Sequence, residues 1–269
     1  MLKKPIGILD MGLEGVFILE TLTKNFPNES FVYTNDLEYY PYDSYKKEEI
    51  LNFVNEKIQF LNTFDPKMIF IVSDTIFELC YEDFKEREEL VFLAPHIIQY
   101  VNAKYSYKSM LLLARKSIIE ANLYQKFLKH SQLTSLASDE IESTLNNGNV
   151  KTSKTFKEVE KIMHLVQKKE IDLIIPSAPF LFALKTEFLE YFPNAILLDT
   201  AEALFEIITI TPTSNKRRGK VIVSTTLTKK DFLQKTKWLN IKYKYKQFLS
   251  LKTESQINFD KIIEQNLKE

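Results

Sequence analysis

Nine short apolar runs, each bounded by polar turns, constrain this chain more than any other feature. They occupy residues 6–9, 31–33, 68–72, 90–93, 110–114, 133–137, 173–175, 196–198 and 221–223. Each is too short for a helix and has the length and composition of a strand buried on both faces. Amphipathic stretches separate most of them. In 46–61, Ile50, Leu51, Val54, Ile58 and Leu61 recur at helical spacing, and 117–129 reads the same way. Strand then helix, repeated along the chain, predicts an α/β fold built on parallel sheets.

Nine strands exceed the needs of one small doubly wound sheet, so two domains are expected. Ala94-Pro95-His96 reads as one crossover, and Pro212 with the polar run 213–218 breaks the pattern a second time. The predicted organisation is a first domain of residues 1–96 plus 204–269 and an inserted second domain of residues 97–203.

Composition narrows the function classes. The 269 residues are 45% hydrophobic and 27% charged, with no formal net charge, as in an ordered globular protein. No apolar stretch reaches the roughly 18 residues of a membrane span, so no membrane partner is expected. The start, Met-Leu-Lys-Lys-Pro-Ile-Gly, lacks a signal-peptide core. A lone cysteine, Cys80, rules out an internal disulfide framework and a multi-cysteine zinc site. A cytoplasmic location is expected. His96, His130 and His164 stand far apart without metal-ligand spacing, so no metal is expected. Abundant Lys, Ile, Asn, Phe and Tyr fit an AT-rich bacterial genome. Charge is unevenly placed: residues 216–269 carry 14 basic and 5 acidic side chains, a net of +9 that the remainder balances. Such asymmetry fits either a basic tail packed on an acidic domain or a surface for a protein partner.

In parallel sheets ligands gather beyond the carboxyl ends of the strands. The residues there include Asp10-Met11-Gly12, Asp36, Ser73-Asp74-Thr75, Ser138-Asp139, Pro176-Ser177-Ala178 and Asp199-Thr200. Ser73 and Ser177 form a matched pair, one small hydroxyl residue after a buried strand in each expected domain.

The ordered set Pro-Ile-Gly-Ile-Leu-Asp-Met-Gly-Leu-Glu-Gly (5–15), Pro41-Tyr42, Ser73-Asp-Thr, Leu-Ala-Ser138, Pro-Ser177-Ala and Leu-Asp199-Thr-Ala-Glu-Ala resembles glutamate racemase, of the aspartate/glutamate racemase superfamily. The resemblance implies two pseudo-symmetric doubly wound domains with an amino acid bound in the cleft between them. It implies cofactor-independent racemisation by two cysteines facing opposite sides of the substrate Cα, and a homodimer as in many relatives. Its site would comprise Asp10, Ser73 and Ser177 at the proton-transfer positions. Met11, Pro41, Tyr42, Asp43, Asp74, Thr75 and Ala178 would line the substrate.

Departures from the family pattern fall on the chemistry. Both family cysteines are serine here, Ser73 and Ser177. The assisting histidine is Pro179, and the assisting glutamate falls opposite Asn146. An aliphatic hydroxyl needs an adjacent base before it can act, whereas a thiol near pKa 8.5 needs only modest tuning. Glu14, Asp43 and Asp74 replace neutral family residues, so the expected cleft disfavours a glutamate dianion. Three functions follow. The leading one is a catalytically inactive racemase homologue kept as a binding or regulatory protein, holding a small amino-acid-like ligand. The second is a racemase or isomerase with altered chemistry, Asp10 or Asp74 serving as base. The third is an interaction module using the basic C-terminal region, where 241–246 reads as an edge strand.

Overall fold

The structure is a computed structural model. It describes residues 2–37, 39–40, 42–213, 215–239 and 245–250, with Asp43 and 245–250 described as backbone only. Pro41 and residues 241–244 therefore lie outside the described residues, as does the Asp43 side chain.

Ten strands are described: β1 (Ile6–Leu9), β2 (Phe31–Thr34), β3 (Met68–Ile71), β4 (Leu90–Phe92), β5 (Lys108–Ala114), β6 (His130–Ala137), β7 (Leu173–Pro176), β8 (Ile196–Leu197), β9 (Val221–Thr225) and β10 (Tyr245–Ser250). The helices are α1 (Glu14–Asn25), α2 (Lys47–Asn62), α3 (Asp74–Phe84), α4 (Leu93–Lys104), α5 (Lys116–Glu120), α6 (Asp139–Asn146), α7 (Ser153–His164), α8 (Lys185–Tyr191), α9 (Phe205–Ile210) and α10 (Lys229–Lys235). They divide into two compact units, one of Met1–Phe92 with Ile208–Glu269 as far as described, the other Leu93–Ile207.

The first unit carries a six-stranded sheet of order β10-β9-β2-β1-β3-β4. Every pairing in it is parallel. Strand residues of one parity, including Leu9, Val32, Ile69, Ile71 and Ile222, pack with Ile50, Val54, Ile58 and Leu61 of α2 and with Ile76 and Cys80 of α3. Burying each such side chain contributes about 1.5–3 kcal/mol, which is why the apolar stripe of α2 is pinned to this face. The other parity buries Ile6, Ile8, Phe31, Tyr33, Phe70 and Val223. There the Tyr33 ring meets Phe232 of α10 at 6.4 Å between centroids.

The second unit has a four-stranded parallel sheet of order β6-β5-β7-β8. Its centre is apolar, residues 110–114 and 173–176 being buried. Both sheets are parallel α/β, as the alternation of apolar runs and amphipathic stretches requires.

Two local expectations need correction. The amphipathic stretch 117–129 does not form one helix. The α5 helix stops at Glu120, because Asn122 adopts φ 56°, a left-handed conformation that a right-handed helix cannot contain. The segment 94–96, read as a crossover, lies in the first turn of α4, where Pro95 costs no intrahelical hydrogen bond. Finally, β6 is not buried on both faces: all eight of its residues are half-buried or exposed.

Candidate functional site at the carboxyl ends of the strands

In the first unit the strand ends are tied together by main-chain bonds from Asp10 N–H to Thr34 O (3.0 Å), Val72 N–H to Leu9 O (3.0 Å) and Asn35 N–H to Ser224 O (3.2 Å). This rigid edge presents Asp10. Its Oδ1 accepts from Gly12 N–H (3.0 Å), and its Oδ2 accepts from Gly15 N–H (2.8 Å) and from the Tyr33 hydroxyl (2.8 Å). Gly15 is the second residue of α1, whose preceding residue Leu13 offers no side-chain cap, so Asp10 caps the helix from a distance. Burial pushes the Asp10 carboxyl above its ordinary range, and the hydrogen bonds from Gly12, Gly15 and Tyr33 oppose that rise. A Cβ on residue 15 would lie 3.0 Å from Asp10 Cβ and 3.1 Å from both Asp10 Oδ2 and the Tyr33 ring, so a larger residue there would press the cradle outward.

Ser73 stands half-buried between β3 and α3 in extended conformation (φ −77°, ψ 124°). Its Oγ accepts from Ile76 N–H at 3.4 Å, the N-cap geometry. Asp74 and Thr75 are the first two residues of α3 and are buried. Glu14 likewise opens α1. Acids at these positions are favoured by the helix dipole, so the charges of Glu14 and Asp74 are partly countered where they stand.

Met11 is a core residue, in the same apolar cluster as Tyr42. Tyr42 is buried and packs against Phe53 at 6.0 Å and Tyr45 at 6.2 Å, while Tyr39 stacks on Phe53 at 4.2 Å with ring planes 11° apart. This aromatic cluster fixes the segment that follows β2 onto α2.

In the second unit Ser177 N–H donates to Leu113 O at 2.8 Å. The Ser177 side chain is buried, and among the described residues its hydroxyl has no hydrogen-bond partner. Ala178 is buried and precedes a 3-10 turn, Pro179–Leu184, with Pro179 at its first position. Asn146 is buried on α6.

Two buried pairs escaped the sequence reading. The Ser138 hydroxyl donates to Glu142 Oε1 at 2.6 Å, both residues being almost fully buried at the head of α6. Lys57 Nζ lies 3.2 Å from Asp36 Oδ2, again with both side chains buried. A lysine on the apolar stripe of α2, beside Val54 and Ile58, is the signal that could have found the second pair. Ser138 and Glu142 are four apart rather than the three of a capping box, so that pair leaves no recognised motif. Among the described residues no cluster of three or more His, Cys, Asp or Glu could hold a metal, and no helix is long and apolar enough to cross a membrane.

No family model matches the sequence. Glutamate racemase 1 of Caldanaerobacter subterraneus subsp. tengcongensis is 27% identical over 175 residues, 64% of this chain and 65% of that protein. Glutamate racemase of Clostridium novyi is 24% identical over 179 residues, 64% of this chain and 69% of the relative. The chain thus aligns with just under two thirds of the length of the first of these. In fold the likeness extends further. A glutamate racemase crystal structure from Bacillus anthracis superposes with TM-score 0.77 at 20% identity, covering 93% of this chain and 99% of that one. That of Francisella tularensis in complex with D-glutamate gives 0.74 at 19% identity, covering 94% and 99%. An aspartate racemase homologue from Pyrococcus horikoshii gives 0.53 at 16% identity, covering 77% and 98%.

The two parallel sheets are those of the racemase α/β fold. Sequence relatives and structural neighbours together support the aspartate/glutamate racemase superfamily, and within it the similarity is to glutamate racemases.

Proposed function

We propose that this chain is a racemase-fold protein that does not racemise by two-sided proton transfer and serves as a binding or regulatory protein for a small amino-acid-like ligand. The observation that carries the reading is the state of the two hydroxyls. Ser73 accepts a hydrogen bond from Ile76 N–H as a helix cap, and among the described residues no carboxylate or imidazole hydrogen-bonds either Ser73 or Ser177. An aliphatic hydroxyl without an adjacent base neither removes nor delivers a Cα proton at neutral pH. The altered-chemistry reading, with Asp10 as base, is disfavoured because both Asp10 oxygens are committed to Gly12, Gly15 and Tyr33.

The ligand class rests on likeness: the Francisella tularensis neighbour was crystallised with D-glutamate, and that of Escherichia coli with L-glutamate and an activator. The test is calorimetric titration with a panel of amino acids, paired with polarimetry of L-glutamate and L-aspartate. Heat of binding without loss of optical rotation supports the reading. Loss of rotation that scales with protein concentration contradicts it.

One observation favours the interaction reading as a second function. Lys216, Arg217 and Arg218 are exposed on a loop held at both ends. Asn215 Nδ2 bonds Asn28 O (3.0 Å) and Ser30 Oγ (3.1 Å), and Gly219 N–H bonds Pro27 O (2.8 Å). Reversing these three charges should abolish capture of an acidic partner while leaving ligand binding intact. The companion segment 242–246 falls outside the described side chains.

A further inference from the structure

The amino-terminal rim of the second unit's sheet is both basic and aromatic. Two segments form it: 104–108 (Lys-Tyr-Ser-Tyr-Lys), which leads into β5, and 126–130 (Lys-Phe-Leu-Lys-His), which leads into β6. They contain four lysines and no Asp or Glu, and Lys104, Lys108, Lys126 and Lys129 are all exposed. Among the described residues none of the four makes an ion pair. Lys104 Nζ donates to the Tyr100 hydroxyl (2.8 Å) and Lys126 Nζ to Ala121 O (3.5 Å). Two acidic residues approach from the β7 side. Asp172 Oδ2 accepts from Ser109 N–H (2.9 Å), and the main-chain oxygen of Glu170 accepts from Ser109 Oγ (2.6 Å). The Asp172 carboxylate is thus engaged by the main chain rather than by these lysines.

Two large rings stand among the lysines, Tyr107 at 72% exposed and Phe127 at 60%. The main chain under both is fixed. Tyr107 N–H donates to Lys129 O (2.8 Å), and the Asn102 side chain on α4 grips the second segment, Nδ2 donating to Phe127 O (2.8 Å) and Oδ1 accepting from Lys129 N–H (2.7 Å). Tyr107 adopts φ 64°, a left-handed conformation that suits glycine or asparagine and is rare for a bulky residue. A ring kept in solvent on a strained backbone adds nothing to the core, and such strain clusters where a side chain serves a contact.

The chemistry of the rim selects its occupant. Exposed rings call for a flat apolar partner, and unpaired ammonium groups call for an anionic one. Single-stranded nucleic acid supplies both, with a π-face on every base and a phosphate at every step. An acidic peptide answers the lysines and leaves the rings unstacked, while a duplex keeps its base faces hidden.

We propose that this rim binds single-stranded nucleic acid without sequence preference, Tyr107 and Phe127 stacking on bases while Lys104, Lys108, Lys126 and Lys129 meet phosphates. The site does not depend on the ligand-binding role proposed above.

Fluorescence anisotropy of the full chain with a labelled oligothymidylate of about twelve nucleotides tests this. Affinity should fall with salt along a log–log slope of about −3, from about 0.7 for each of four lysine–phosphate contacts. Lys126→Glu with Lys129→Glu should lower that slope by about half. Phe127→Ala should weaken binding by roughly tenfold. Tyr107→Asn removes the ring and relieves the left-handed backbone, so it should weaken binding by roughly tenfold while the melting temperature rises. That opposed pair of readouts separates lost contact from lost folding. No binding of the single strand at low salt overturns the proposal. So does equal affinity for an oligoglutamate peptide or a duplex of the same length, or an affinity that ignores both ring substitutions. Loss of binding on reversing Lys216, Arg217 and Arg218, with none on reversing Lys126 and Lys129, would place the contact on the other basic loop and also overturns it.

Discussion

The Tyr33 hydroxyl donates to Asp10 Oδ2 at 2.8 Å, binding a residue of β2 to the turn after β1 at the point where α1 begins. The carboxyl group at the proton-transfer position suggested by the resemblance thus also clasps β2 to the turn after β1. Tyr33→Phe removes one donor from a buried carboxylate and should destabilise the fold by about 1–3 kcal/mol in urea titration. A destabilisation near zero would mean that the clasp is not formed in solution.

Asp10 also sets a pH dependence whose sign can be stated. Its carboxyl in the fold is held above the ordinary aspartate range, burial being the largest cause. A raised acid contributes stability that is complete below its unfolded pKa and is lost as pH rises through its folded pKa. The stability of the wild type minus that of Asp10→Asn should therefore fall as pH is raised from below 3.8 toward neutrality. A difference that grows over that range would reverse the assigned shift.

Two glycines should differ sharply in tolerance. Gly15→Ala presses a methyl to within 3.0–3.1 Å of Asp10 and Tyr33 and should cost about 1–3 kcal/mol, read as a lowered melting temperature. At Gly219 a Cβ would stand 1.7 Å from Glu29 O, a main-chain atom, so Gly219→Ala should displace the basic loop or prevent folding. Equal melting temperatures for the two variants would contradict this ranking.

The Lys57–Asp36 pair should behave as a buried ion pair. Lys57→Met removes the cationic partner of a buried carboxylate and should cost about 3–5 kcal/mol, whereas Lys57→Met with Asp36→Leu should recover most of that loss. A double-mutant cycle in urea measures the coupling.

Cys80 is fully buried on α3, and burial pushes its thiol up to about 11. Native protein should therefore react very slowly with a thiol reagent at neutral pH, and unfolding should release one fast-reacting thiol. Rapid native reaction would show that α3 opens readily.

How much of this was legible in the sequence depends on whether the signal was local. Short apolar runs marked the buried strands, because a strand covered on both faces has no polar period. They misled at β6, whose Leu133, Leu136 and Ala137 look buried yet lie at an edge, since edge position is set by topology rather than by composition. Asp10, Ser73 and Ser177 could be placed at strand ends from order alone. What Asp10 and Ser73 do there could not, because both are occupied by main-chain donors that leave no trace in residue type. Glu14 and Asp74 read as charges added to a ligand site, and the fold adds that each opens a helix that suits an acid. Lys57 and Glu142 were missed because their partners, Asp36 and Ser138, are polar groups that only the fold buries beside them.

The central claim is that two serines without bases cannot exchange a Cα proton. The direct measurement is NMR of L-glutamate and L-aspartate incubated with the protein in deuterated water, against a Ser73→Ala, Ser177→Ala control. The account predicts retention of the Cα proton at the control rate. Exchange by the wild type above the control would show that the site still deprotonates amino acids, and would contradict the account.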